Sequence, residues 1–258
     1  MPMSIILFLI IVFGASFLQG VIGFGFALIV VPLGLSLLGK TTIVTSVLII
    51  GITLNLLLIL KNKERIDKKM MGFLIIASFI GMIIGVELFK IVPSNILQLF
   101  AGLLVIVYSI YSAFFKITLP KSNKLTFIAG LLSGILNSST GLSGPPIVML
   151  LANQQTNKMV FKKSLSVFFL FMNITTLILY LFNNYLTSQG LTVGLIAVPI
   201  VLLAGYLGNK LSGVINMKAF NTITLFIILI TGVTNVYTSL DRMQKMTVSK
   251  TTLTAVNR

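Results

Sequence analysis

The 258-residue chain contains no cysteine, no histidine and no tryptophan, and its acidic residues number four. Without cysteine there are no disulfides, no thiolate metal sites and no cysteine nucleophile. Without histidine the usual proton shuttle and the commonest metal ligand are gone, so neither a metal nor a cofactor is expected. The acids are Glu64, Asp67, Glu87 and Asp241. Charge of either sign is scarce, at 9% of residues, against roughly 25% in a soluble domain. Hydrophobic residues make up 57%, and the mean hydropathy is +1.09. Such a chain reads as an all-α polytopic protein of the cell (plasma) membrane. The formal charge of +15 would suggest nucleic acid in a soluble protein. Here the lysines and arginines lie in loops between apolar runs, so the positive-inside rule accounts for them and no nucleic-acid partner is expected. The opening Met-Pro-Met-Ser lacks a basic n-region and does not read as a cleaved signal peptide.

Two stretches interrupt the apolar pattern. Residues 19–26 carry Gln19, Gly20, Gly23 and Gly25. Residues 134–146 carry Asn137, Ser138, Ser139, Thr140, Gly141, Ser143, Gly144, Pro145 and Pro146. Lipid cannot hydrogen-bond a backbone, so non-helical chain at membrane depth must be buried in protein or line a wet cavity. The two breaks are expected to face each other near mid-membrane and form a substrate site.

Residues 3–38 would extend about 54 Å as one helix, well beyond a core of about 30 Å. The segment is therefore expected to turn back as a hairpin of two short arms, or to tilt and break. Spans follow at 41–60, 71–89 and 95–115. After a polar linker at 116–124, the broken pattern returns at 125–153, followed by a basic loop at 154–163 and spans at 164–182, 191–209 and 219–237. A polar tail runs from 238. The halves, 1–115 and 125–237, align at an offset of 118, which pairs Gly23 with Gly141, Lys40 with Lys158, Ser46 with Ser164 and Asn55 with Asn173. An offset of 123 then pairs Gly85 with Gly208 and Leu88 with Leu211. This reads as an internal repeat of about 110 residues.

Charge counting favours broken segments that return to the side they entered. One side then holds 13 basic residues in short loops, against Lys40 and Lys90 on the other. If each broken segment crosses instead, the split is 8 against 7. The first arrangement makes the second half enter from the opposite side, giving inverted repeats with a site at their interface.

Two features resemble the sulfite exporter TauE/SafE family. One is Gly-Phe-Gly-Phe-Ala-Leu-Ile-Val-Val-Pro-Leu at 23–33. The other is Gly-Leu-Leu-Ser-Gly followed by Gly-Leu-Ser-Gly-Pro-Pro-Ile-Val within 130–148. Gly85…Leu88 and Gly208…Leu211 resemble a later-helix pattern of the same family, and the resemblance runs over roughly residues 5–237. It implies export of sulfite, sulfonates or related small organic anions. The sequence departs from the commoner triple-glycine cluster at the first break and carries Asn-Ser-Ser-Thr before Gly141.

The chemistry of the breaks suits such a substrate. Helix N-termini offer free N–H groups and a positive dipole end without a buried cation. Gly141 and Gly144 let backbone approach a ligand. Pro145 and Pro146 suit a first helical turn, and Pro32 sits in the arm after the first break. Ser138, Ser139, Thr140, Ser143 and Asn137 can donate to an oxyanion, with Gln19, Gly23 and Gly25 opposite. Small residues and serines in membrane helices also serve packing and back-bonding, so each has a bland alternative. Asn55 and Asn173, at matching mid-span positions, are expected to bond across helices. Glu87 beside Lys90 reads as an interfacial ion pair. A permease for carboxylates or other small anions and a non-transporting membrane subunit remain as alternatives, and a homodimer stays open. Gly-Leu-Ser-Gly at 141–144 also matches a rhomboid-type serine protease setting, but a Ser–His dyad needs a histidine, and an enzyme is not expected.

Overall fold

The structure, a computed structural model, describes residues 3–35, 37–93, 120, 122–141, 143–153 and 157–214, with scattered positions between 96 and 110 and between 222 and 244. Among these residues there is no strand. The helices are α1 (Met3–Ile22), α2 (Phe26–Gly34), α3 (Lys40–Lys61), α4 (Lys68–Ile91), α5 (Asn123–Thr140), α6 (Gly144–Asn153), α7 (Lys158–Phe182) and α8 (Ser188–Ser212). Five of them, α1, α3, α4, α7 and α8, are long and apolar enough to cross a membrane. The expected spans 95–115 and 219–237, most of the linker 116–124 and the end of the tail fall largely outside the described residues.

Each broken segment differs from two short arms. The first arm is a 20-residue helix and the second has 9 residues. In the second segment the arms have 18 and 10 residues. The break sits late because nothing earlier in residues 3–18 stops a helix. The lone Gly14 has open space around it, and the first left-handed backbone comes only at Gly23. The short arm still turns back. A Cβ on Gly34, the last residue of α2, would lie 3.3 Å from the ring of Phe8, in the second turn of α1.

The basic loop expected at 154–163 is also corrected. Asn157 caps α7, its side chain accepting from Met159 N at 2.8 Å, so Lys158, Lys162 and Lys163 are helical. Asp67 caps α4 in the same way, accepting from Met70 N at 3.0 Å. The pair Lys90–Glu87 forms as expected, at 2.9 Å.

Helices pack where glycines let backbones meet. α4 and α5 run side by side in the same direction, with Gly130 against Leu74, Gly134 against Ser78 and Gly85 against Ile135. α8 runs alongside α3 in the same direction, from Gly190 against Thr45 to Gly205 against Leu54. α1 packs on α8 through Gly20 and Gly208. The far face of α4, including Ile76 and Ile83, is exposed and suits lipid contact.

The bundle has two distinct ends. At one, Asn62 Nδ2 donates to Met159 O at 2.7 Å, Lys163 Nζ to Asn62 O at 2.7 Å, and Lys158 Nζ to Ser212 O at 3.0 Å. At the other, Phe89, Tyr180 and Tyr185 form an aromatic cluster with ring centroids 5.1–5.5 Å apart. Lys40 Nζ lies 3.9 Å from the Phe89 ring centroid. The basic loop 62–67 belongs to the first end.

Candidate functional site

Both breaks depend on backbone that only glycine adopts cheaply. Gly23 and Gly25 have φ of 92° and 103°, and Gly25 precedes the first turn of α2. Gly141, at φ 77°, ends α5, its N–H donating to Asn137 O at 2.8 Å. α6 then starts at Gly144 with both prolines in its first turn. The side chains of Pro32, Thr140 and Pro145 lie outside those described.

A cavity of about 30 Å³ lies between the two breaks, room for one or two ordered waters. Gln19, Gly25, Phe26, Gly51 and Asn55 line it from the first half of the chain. Gly141, Ser143, Gly144, Phe169 and Asn173 line it from the second. The first turns of α2 and α6 thus reach the same space. The first N–H groups of a helix lack intrahelical partners and carry its positive dipole end. Pro145 and Pro146 bring no N–H to the first turn of α6, and Phe26 N in α2 already donates to Gln19 Oε1, so it is chiefly the two dipole ends that favour negative charge there.

Gln19 organises one wall. Its Nε2 donates to Asn55 Oδ1 at 3.0 Å, and its Oε1 accepts from Phe26 N at 3.3 Å. Asn55 Nδ2 in turn donates to Gly51 O at 2.7 Å. The interhelical bond expected of Asn55 is present, and the amide also borders the cavity. Asn173 comes from α7 and passes over Gly51, where a Cβ would stand 2.3 Å from its Nδ2.

The expected cluster around the second break does not act as one group. Ser143 reaches the cavity. Ser138 Oγ donates to Met82 O at 2.8 Å, with Gly134 O also within reach of the same proton at 3.1 Å, sealing α5 against α4. Ser139 Oγ back-bonds to Ile135 O at 2.6 Å. Asn137 Nδ2 donates to Thr176 Oγ1 at 2.8 Å. None of these three lines the cavity. Gly23 is turned to Lys162, where a Cβ would lie 2.8 Å from Cγ and 3.0 Å from Cα. Gly23→Ala therefore meets both left-handed strain, about 1–2 kcal/mol, and a contact with backbone. It is expected to lower the thermal unfolding midpoint in detergent, whereas Gly14→Ala, inside α1 with nothing within 4 Å, is expected to leave it unchanged or raise it slightly through helix propensity.

Sequence reasoning missed Gly51, Phe26, Phe169 and Lys162. Phe169 stands one helical turn before Asn173, so helical spacing alone could have placed it on the same wall.

The sequence profile described as Sulfite exporter TauE/SafE matches residues 7–234. The chain belongs to that family. It is also 25% identical over 203 residues to a protein of Cupriavidus necator named "Probable sulfite/organosulfonate exporter TauE", covering 76% of this chain and 79% of the relative. No solved structure matches significantly. As a TauE/SafE protein it is a multi-pass transporter of the cell membrane and not an enzyme, which sets aside the protease reading of residues 141–144.

Proposed function

We propose that this TauE/SafE protein exports a small sulfur oxyanion or sulfonate through the cavity between its two helix breaks. The observation that carries this reading is the convergence of the α2 and α6 N-termini on one cavity. Gln19, Asn55, Asn173 and Ser143 add polar groups to it. Gly25, Gly141 and Gly144 leave its backbone bare. The name of the Cupriavidus relative points to the same substrate class. The basic end faces the cytoplasm under the positive-inside rule. An inside-negative potential then favours anion exit by about 2.3 kcal/mol per charge per 100 mV, so export of a monoanion needs no coupling ion.

The reading includes two inverted repeats, 1–115 and 125–237, and several contacts support it. The offset of 118 relates Gln19 to Asn137, Gly25 to Ser143 and Gly51 to Phe169. The offsets of 118 and 123 together relate the bond Lys40 Nζ to Phe89 O, 3.1 Å, to the bond Lys158 Nζ to Ser212 O, 3.0 Å. They also relate Ser138 on Met82 O to Gly20 close against Gly205 O. α1 packing on α8 mirrors α5 packing on α4.

The test is sulfite flux in proteoliposomes under an imposed potential, with acetate and a small sulfonate as competitors. Saturable flux that follows the potential and yields to the sulfonate is the expected result. Preferential block by acetate would favour a carboxylate permease, and no flux from folded protein a non-transporting subunit. Within this assay Ser143→Ala is expected to weaken apparent affinity about tenfold, the worth of one hydrogen bond to a charged group. Ser138→Ala is expected to leave affinity unchanged and to lower stability instead.

A further inference from the structure

Lys162 places a basic amine in the protein interior. It is 1% exposed and is the fifth residue of α7. Its Nζ donates to Gly20 O at 2.6 Å and to Asn209 Oδ1 at 2.9 Å. Both acceptors are neutral. Gly20 lies in the last turn of α1, where unpaired carbonyls and the negative dipole end suit an ammonium. These bonds tie α1, α7 and α8 together beside the first break, and the lysine stem packs on Gly23.

Position gives this clasp its meaning. Met159, one turn earlier on α7, is bound to Asn62 at the basic end. Phe169, two turns later, lines the cavity. Lys162 therefore stands between the basic loops and the cavity. A buried ammonium against neutral acceptors carries a charge that an anion would compensate, and intramembrane charges commonly mark ion pathways.

We propose that Lys162 is an anion station and latch on the basic-end route to the cavity. In this conformation the ammonium rests on Gly20 and Asn209 and holds the route shut. When the route opens, oxygen atoms of the anion replace those acceptors, and the charge is neutralised as the anion passes. The inference rests on the transport reading above.

The absence of native cysteine makes a direct test available. Lys162→Cys would carry the chain's single thiol. Bromoethylamine would convert that thiol to a lysine analogue with its ammonium restored, while iodoacetamide would add comparable bulk without charge. In sulfite-loaded proteoliposomes, Lys162→Cys is expected to lose flux roughly tenfold, the worth of a charge-assisted contact. The amine adduct is expected to recover most of that loss and the amide adduct none. Wild-type flux in Lys162→Cys, or equal recovery by both adducts, overturns the proposal and leaves the transport reading standing. Absence of wild-type flux for every anion removes both. Asn209→Ala keeps the charge and weakens the latch, so its apparent KM for anion offered from the basic end is expected to fall. If Lys162→Cys does not fold, this second variant decides: a raised KM, or failure to fold as well, assigns the clasp to structure alone and overturns the proposal.

Discussion

Gly51→Ala is expected to reduce anion flux on the order of a hundredfold, the product of a lost amide contact with a charged ligand and of overpacking a small pocket, each about tenfold. The added Cβ would stand 2.3 Å from Asn173 Nδ2 and 3.2 Å from its Cγ. Those atoms end a flexible side chain, so the amide swings away and the fold survives. What is lost is the polar group that α7 presents to the cavity. The new methyl also occupies part of a space of about 30 Å³. Asn55 uses the carbonyl of Gly51 as its acceptor, so any shift there passes to Gln19 and to the first turn of α2. Gly72→Ala is the control, since nothing lies within 4 Å of a Cβ there. Flux in proteoliposomes and a thermal melt in detergent separate the outcomes. Near-normal flux in a folded Gly51→Ala protein would show that the anion does not pass this wall.

The long apolar spans and the two breaks were legible in the sequence because each has a local cause. Hydrophobic runs of span length have one stable form in lipid, and glycines followed by a Pro-Pro pair mark where a helix stops and another starts. The orientation of side chains around the second break was not legible as a cluster. Asn137, Ser138 and Ser139 looked like one donor group because glycines and hydroxyls surround them. α5 in fact continues through Thr140, and neighbours on a helix point about 100° apart. Three consecutive residues cannot face one site, so Ser138 goes to α4, Asn137 to α7 and Ser139 to its own helix. Ser143 escapes this because it lies beyond the end of α5. Lys162 was hidden for a different reason. A run of lysines reads as a solvated loop, and the cap that makes it helical is a single side chain, Asn157. The correspondence of Gln19 with Asn137 is not an identity, because the two amides differ by one methylene.

Gly134→Ala is expected to destabilise the protein by about 3 kcal/mol, the upper end of overpacking costs. Its Cβ would meet Ser78 O at 2.2 Å and Met82 N at 2.9 Å. Both are backbone atoms of α4, so no rotamer change relieves the contact and the helices must part. Parting them breaks more than packing. Ser138, one turn further on, donates to Met82 O, and Tyr180 Oη donates to Ser138 O at 2.7 Å. The disturbance therefore travels from the α4–α5 seam to α7 and to the aromatic cluster at the far end. Gly85→Ala and Gly208→Ala are the matched pair across the two seams, since a Cβ would meet the carbonyl of Ile135 on one and that of Phe17 on the other. If the two seams are equivalent in an inverted repeat, the variants should lose comparable stability in detergent melts. A large loss for Gly85→Ala with none for Gly208→Ala would mean that α1 is held chiefly by other contacts, such as Lys162 on Gly20. That outcome would separate the energetics of the two halves even where their contacts correspond.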